Sequence, residues 1–366
     1  MKVKDIAALI EGVAPREFQE SYDNAGLAVG SPTMEVTGVV VCLDVSEQVV
    51  EEAISLGANM VVSHHPVIFS GLKTITGKNA VERIVLKAIQ NNIALYAAHT
   101  NLDSVWGGVN DKLSRVLGLT NRKILSPLKG QLVKVATFIP ISHANAVRSA
   151  MFAAGAGAIG NYDCCSFNLG GEGSFRPQEG AKPFVGELGK VHFESEVKVE
   201  VICTRLVLSG VIKALVKAHP YEEPAYDIIP LENEYALVGL GMIGDLDFPM
   251  DEADFLAYVK RKLGAKLLRY SNPTGKQVRR VAVCGGSGAS FTRLAAAQQA
   301  DAYVTGDVKY HDFIDAQDKL LLVDAGHFET ERFTIDIFYD LIMEKIVNFA
   351  LYKTKYIDNP VNYLFH

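Results

Sequence analysis

The sequence predicts an α/β fold: two related α/β lobes around a cleft, with an α+β domain of ferredoxin-like order inserted between them. Three observations carry this reading. Short valine-rich runs alternate with helix-spaced segments between Val36 and Ala98, which predicts a largely parallel sheet with helical crossovers. The same alternation returns between Arg279 and His327. The stretch between the two has a different order, strand-helix-strand-strand-helix-strand. The expected boundaries are 1–129 for the first lobe, 130–234 for the insertion and 235–366 for the second lobe, which completes the first domain.

Taken in order, residues 1–20 read as a helix and Tyr22-Asp23-Asn24-Ala25-Gly26-Leu27 as a polar turn. Val36 to Leu43 is a strand, and Asp44 to Leu56 carries Val45, Val49, Val50, Ala53 and Ile54 at helical spacing. Ala58 to Ser63, Ala80 to Asn91 and Ile93 to Ala98 then read as strand, helix and strand. Downstream, Arg279 to Cys284 echoes Gly38 to Cys42, Ala302 to Asp307 echoes Asn59 to His64, and Leu320 to His327 echoes Ile93 to His99. Chance similarity of buried strands is the alternative, because fully buried parallel strands all tend toward valine runs. In the insertion, Leu132 to Ile139, Ala144 to Ala154, Cys164 to Leu169, Val197 to Thr204 and Val207 to His219 supply the elements, and Gly170 to Pro177 reads as a flexible hairpin excursion.

Chemistry concentrates at the ends of the strands. His64 and His65 close the run Met60 to Val62, and Pro66 stops the ladder, so both rings are free to turn toward the carboxyl end of the sheet, where ligands bind in α/β folds. His99 and Asp103 stand four apart after the next strand, and His327 and Glu331 repeat that spacing in the second lobe. On a helix, residues four apart share a face. Nitrogen and oxygen donors without thiolate suit zinc, manganese or iron rather than calcium. The second lobe offers Gly306 and Asp307 where the first has its histidine pair, so the paired imidazoles come from the first lobe alone. Cys284-Gly285-Gly286-Ser287-Gly288-Ala289-Ser290 lacks the third glycine of a dinucleotide fingerprint and the lysine of a P-loop, which leaves a tight strand-to-helix turn as its default.

Composition narrows the class. The chain has 366 residues, enough for two or three domains, and its 49% apolar and 21% charged residues are ordinary for a globular protein. A net charge of -6 disfavours a nucleic-acid partner. No apolar run is long enough for a membrane helix, and the opening residues lead into an amphipathic helix carrying Glu11 and Arg16, so a cytoplasmic protein is expected. Five cysteines without CxxC spacing point to buried hydrophobes rather than to zinc knuckles or disulfides.

The segments Ser63-His64-His65-Pro66, His99-Thr100-Asn101-Leu102-Asp103, Gly326-His327-Phe328-Glu329-Thr330-Glu331 and Asp23-Asn24-Ala25-Gly26-Leu27 together resemble the family of type 2 GTP cyclohydrolase I homologues, also called the NGG1-interacting-factor-like family. The resemblance implies a dinuclear site whose ligands are His64, His65, Asp103, His327 and Glu331, with Glu331 shared by two divalent ions. Zinc stands first, with manganese or iron as alternatives. His99 lies outside the family's usual ligands and is expected to orient a ligand or substrate; His99 and Asp103 are the expected proton handlers. Tyr310-His311 departs from the family's histidine pair and leaves His311 a weak candidate. His219-Pro220-Tyr221-Glu222-Glu223-Pro224 resembles the signature of the PII/CutA-like insertion of longer members. A homo-oligomer, a hexamer, is implied as well. Two functions follow as expectations: a metal-dependent hydrolase acting on a nucleotide-like or other small polar substrate, or a metal-carrying, ligand-sensing scaffold without catalysis.

Overall fold

The computed structural model describes residues 1–346, 348–357 and 359–364 and contains three sheets with helices. Residues Met1–Pro127 and Ala236–His366 form one compact unit, and Leu128–Tyr235 forms a second.

The larger unit holds two sheets. In the first, the strands Val39–Cys42, Met60–Ser63 and Ala94–Ala97 run parallel, in register Cys42↔Ser63 and Ser63↔Ala97. These strands are buried along their whole length, which is why they read as continuous apolar runs. Each fully buried valine contributes about 1.5–3 kcal/mol. The helix Glu47–Ser55 starts where the Ser46 hydroxyl accepts from the Val49 N–H at 3.2 Å, and Ala80–Gln90 starts where Asn79 accepts from the Glu82 N–H at 2.9 Å. Both cover the sheet with Val49, Val50, Ala53, Ile84, Val85 and Ala88.

The second sheet repeats three parallel strands, Gln277–Val283, Ala302–Thr305 and Leu321–Asp324, in register Val283↔Val304 and Thr305↔Asp324. It is extended by Tyr235–Asp251, antiparallel to the first of these, and by Thr120–Leu128 beyond it. Phe255, Val259 and Leu263 of the helix Glu252–Leu263 are fully buried in its core.

Several local expectations are corrected. Residues 1–20 are not one helix: Val3–Val13 is helical, Pro15 follows, and Arg16–Phe18 makes a short 3₁₀ turn, because proline lacks the N–H a continuing helix needs. The polar turn is shorter than expected, since Gly26–Val29 pairs antiparallel with Ala94–Ala97. The edge strand Leu351–Lys353, parallel to Val39–Cys42, carried no recognisable signal.

The smaller unit runs strand Leu132–Pro140, helix Ala144–Ala153, strands Ser166–Phe175 and His192–Thr204, helix Arg205–Ala218 and strand Tyr226–Pro230, all strand pairs being antiparallel. The glycine-rich run is no turn. Gly170, Gly171 and Gly173 lie inside a strand, and a Cβ on Gly173 would stand 2.2 Å from Glu196 Oε2, so the missing side chain makes room for that carboxylate.

The chain leaves the larger unit along Thr120–Leu128 and returns along Tyr235–Asp251, neighbours in one sheet, and Lys129 Nζ lies 4.0 Å from Glu234 Oε1. Ends this close are joined by a short linker without strain. Deleting residues 130–234 is therefore expected to leave a soluble, folded remainder with unchanged metal content, measured by circular dichroism and elemental analysis. A folded remainder without metal would contradict this.

Candidate metal centre

The parallel strands of both sheets in the larger unit end in the same place. His64 and His65 follow Ser63, whose hydroxyl donates to the His65 carbonyl at 2.8 Å and fixes the turn before Pro66. The His65 N–H donates to Leu43 O at 3.0 Å, which continues the strand pairing just far enough to hold both histidines at the strand end. His99 caps the short helix Thr100–Asp103, and His327 opens the short helix His327–Glu331.

Each of the four imidazoles turns its Nδ1 toward an oxygen that accepts. His64 Nδ1 faces Ala98 O at 3.0 Å, His65 Nδ1 faces Asp44 Oδ1 at 2.8 Å, His99 Nδ1 faces Asp23 Oδ1 at 2.8 Å, and His327 Nδ1 faces Asp307 Oδ2 at 2.6 Å. A carbonyl or carboxylate accepts, so each Nδ1 carries the hydrogen and each Nε2 is left to the centre. His65 Nε2 and His327 Nε2 then face each other at 3.3 Å. Two ring nitrogens at that distance, each within 3.0 Å of Glu331 Oε2, need a proton or a cation beside them.

Glu331 stands among them, 4% exposed, with its oxygens addressed to different neighbours. Oε2 lies 3.0 Å from His65 Nε2 and 2.9 Å from His327 Nε2, while Oε1 lies 3.7 Å from His64 Nε2. Asp103 Oδ1 lies 3.6 Å from His64 Nε2. Three groups of donor atoms lie within 4.8 Å of one another: His64, Asp103 and Glu331; His65, His327 and Glu331; His64, His65 and His99. His64 Nε2 and Asp103 Oδ1 are sealed from solvent, with no hydrogen-bond partner among the described residues. Buried polar atoms are ordinarily paired, so two orphans facing one another in a histidine and carboxylate cluster fit a cation.

The electrostatics agree. Burial works against a charged His65 ring, but hydrogen bonds with Asp44 and Glu331 override it and raise His65 to about 10. His327 is opposed by burial in the same way and is raised to about 9 by Glu331 and Asp307. Burial pushes Asp103 up to about 7, opposed by His64 and reinforced by Glu331. Glu331 is also penalised by burial, yet His64, His327 and His65 hold it well below the ordinary carboxylate range. Asp23, likewise opposed by burial, is brought to about 2 by hydrogen bonds from His99 and Thr100.

The glycine-rich turn after Val283 belongs to this centre for a steric reason. The N–H groups of its three glycines are committed: Gly285 donates to Asn110 Oδ1 at 2.8 Å, Gly286 to Thr330 Oγ1 at 3.0 Å and Gly288 to Thr305 Oγ1 at 3.0 Å. Gly286, at φ +59°, would carry a Cβ 2.3 Å from Glu331 Oε1. Its bare backbone is what lets Glu331 reach inward.

Residues 1–360 match the family described as Duf34/NIF3 (NGG1p interacting factor 3). The chain belongs to the Duf34/NIF3 family. It is 42% identical over 324 residues to a "GTP cyclohydrolase 1 type 2 homolog" of Halalkalibacterium halodurans, covering 88% of this chain and 87% of that protein. A protein of the same name from Bacillus subtilis is 40% identical over 327 residues, covering 89% and 88%. Among solved structures, a Bacillus cereus protein related to NIF3 superposes with a TM-score of 0.86 at 40% identity, covering 100% of this chain and 99% of that one.

All six residues singled out in this NIF3-family sequence, His64, His65, His99, Asp103, His327 and Glu331, come together in the three donor groups. His99, expected to orient a ligand or substrate and to handle protons, has its ring 5.2 Å from that of His64 and 5.5 Å from that of His65. His311 lies exposed on the helix Tyr310–Ala316 and joins none of these groups. Sequence reasoning gave no role to Asp23, Asp44 or Asp307, which orient three of the imidazoles. Asp44 and Asp307 each stand two residues past a buried strand, and an acid at that place in both sheets was the available signal. Among the described residues, no helix is long and apolar enough to cross a membrane.

Proposed function

We propose that the chain is a metal-dependent hydrolase with a dinuclear centre that acts on a nucleotide-like or other small polar substrate. The observation that carries it is the two-sided Glu331: one oxygen is directed to His65 and His327, the other to His64, near which Asp103 stands. His64 and Asp103 would hold one ion, His65 and His327 the other, with Glu331 between them. Zinc fits the nitrogen and oxygen donors best, with manganese or iron next. Ions held there would supply Lewis acidity, which polarises a substrate oxygen and makes water nucleophilic near neutral pH. His99, held by Asp23, presents Nε2 to the cavity beside the cluster and receives a proton there. Thr100 donates to Asp23 Oδ2 through its backbone N–H at 3.0 Å, keeping that carboxylate charged and the ring fixed. Asp103, mostly buried beside His64, is the second proton handler, and the proton taken from water returns to the leaving group through one of the two.

We assign residues 1–129 and 235–366 to two related lobes and residues 130–234 to an inserted PII/CutA-like domain. The strand order of its sheet and the alternation of antiparallel strands with two helices support a ferredoxin-like plan. A cytoplasmic homo-hexamer without nucleic-acid partners completes the reading.

Purified protein is expected to bind about two divalent ions per chain, measured by elemental analysis. The raised His65 and His327 carry protons at neutral pH in metal-free protein, and loading expels them. Metal affinity should therefore climb with pH and level off above about 9–10. The stability of metal-free protein should run the other way. Its charged imidazoles contribute fully below their ordinary value of 6.5, and the contribution is lost as pH rises through about 9 and 10. Protein that cannot be loaded with zinc, manganese or iron would overturn the metal reading. A screen of nucleotide and phosphoester hydrolysis on loaded protein tests the catalytic one.

A further inference from the structure

A cavity of about 630 Å³ opens beside the cluster, reaching His65, His99, Asp103, His327 and Glu331. Its rim carries Tyr22 and Phe69, which remain 62% and 52% exposed. Their ring centroids lie 6.3 Å apart, and Phe69 stands edge-on to His99 at 6.3 Å. The three rings follow one another from the rim to the imidazoles as an aromatic wall of inclined faces, Tyr22 tilted 49° to Phe69 and Phe69 79° to His99.

This wall is held in place. Asn24 Nδ2 donates to Ile68 O at 2.7 Å, tying the turn that carries Tyr22 to the segment that carries Phe69. Asp23, between Tyr22 and Asn24, is the residue that fixes His99. Further along, the Thr76 and Lys78 N–H groups donate to Glu82 at 2.9 and 3.2 Å and anchor the other end of the irregular segment. One short turn thus positions an exposed ring, an imidazole and the neighbouring rim. Single exposed apolar side chains need no explanation, but two adjoining rings at the mouth of a polar-floored cavity have the form of a ligand site. Leu240 and Phe291 add apolar lining, while Ser287 and Ser290 add hydroxyls.

We propose that Tyr22 and Phe69 are specificity-determining residues, and that the site takes a planar unsaturated ring bearing an anionic oxygen group. The ring stacks on the wall and the oxygen group points to the cluster. This rests on the metal reading above for the oxygen group, while ring recognition needs only the wall.

The test compares two probes with the same carboxylate and nearly the same volume, naphthalene-2-carboxylate and decahydronaphthalene-2-carboxylate. Binding to the full, metal-loaded chain is measured by calorimetry, with metal content determined on each sample. Stacking is expected to favour the planar acid by about fivefold or more. Phe69→Leu and Tyr22→Leu should each reduce that preference, and the double variant should abolish it. Phe69→Tyr and Tyr22→Phe should keep it, since the rings remain. Loaded protein that binds both acids equally, or neither, overturns the ring proposal and leaves the metal reading standing. A preference that survives in the folded double variant also overturns it. A preference present in protein that cannot be loaded with zinc, manganese or iron supports the wall and overturns the metal reading instead.

Discussion

Glu331→Ala is expected to leave a folded protein that binds neither ion, whereas Asp103→Ala keeps one. The asymmetry follows from the directions of the carboxylates. Glu331 Oε2 serves the His65 and His327 side at 3.0 and 2.9 Å, and Oε1 serves the His64 side. Asp103 Oδ1 lies on the His64 side, 3.6 Å from His64 Nε2. Removing Glu331 also removes a negative charge that would offset the repulsion between two divalent ions held on its two sides. Glu331→Asp keeps the charge but shortens the reach, so both ions should bind more weakly without being lost. Elemental analysis after equilibrium dialysis, with circular dichroism to verify folding, gives the stoichiometry of each variant. Equal stoichiometries for the two alanine variants would rule out a shared Glu331, and with it the dinuclear arrangement.

Gly286→Ala should weaken metal binding about 10- to 100-fold, the range typical of changes just behind a metal's ligands. The added Cβ would stand 2.3 Å from Glu331 Oε1 and 3.2 Å from His327 Cε1, so the carboxylate must give way. The left-handed backbone at φ +59° adds about 1–2 kcal/mol of strain for any residue with a side chain. Gly57→Ala separates the two effects. Gly57 has φ +69° but nothing within 4 Å of its would-be Cβ, so that variant carries the backbone strain alone and should bind metal as the parent does. Competition of a chromogenic chelator against each protein measures the affinities. Equal weakening in both variants would mean that backbone strain, not the push on Glu331, is responsible.

Much of the centre was legible because its members lie close together along the chain. His64 and His65 are adjacent and stopped by Pro66, and His327 and Glu331 are one helical turn apart on a short helix. The residues that aim them were not legible. Asp44 is 21 residues from His65, Asp307 is 20 from His327 and Asp23 is 76 from His99. Nothing in local spacing links partners at such separations; the strand register does. The parallel sheet was legible in the same way, since strands buried on both faces must be apolar throughout. Its edges were not, because Gly26–Val29 and Leu351–Lys353 are short and only partly buried.

By itself the sequence determined which donors are available and that they follow buried strands. Local propensity and periodicity decide those things within a few residues. Only the tertiary structure decided which nitrogen of each imidazole faces the centre, because that depends on the oxygen behind the ring. It alone decided that a bare backbone at Gly286 admits Glu331, and that Tyr22 and Phe69 meet at the cavity mouth. Those contacts join segments separated by tens of residues, and packing sets them to within an ångström.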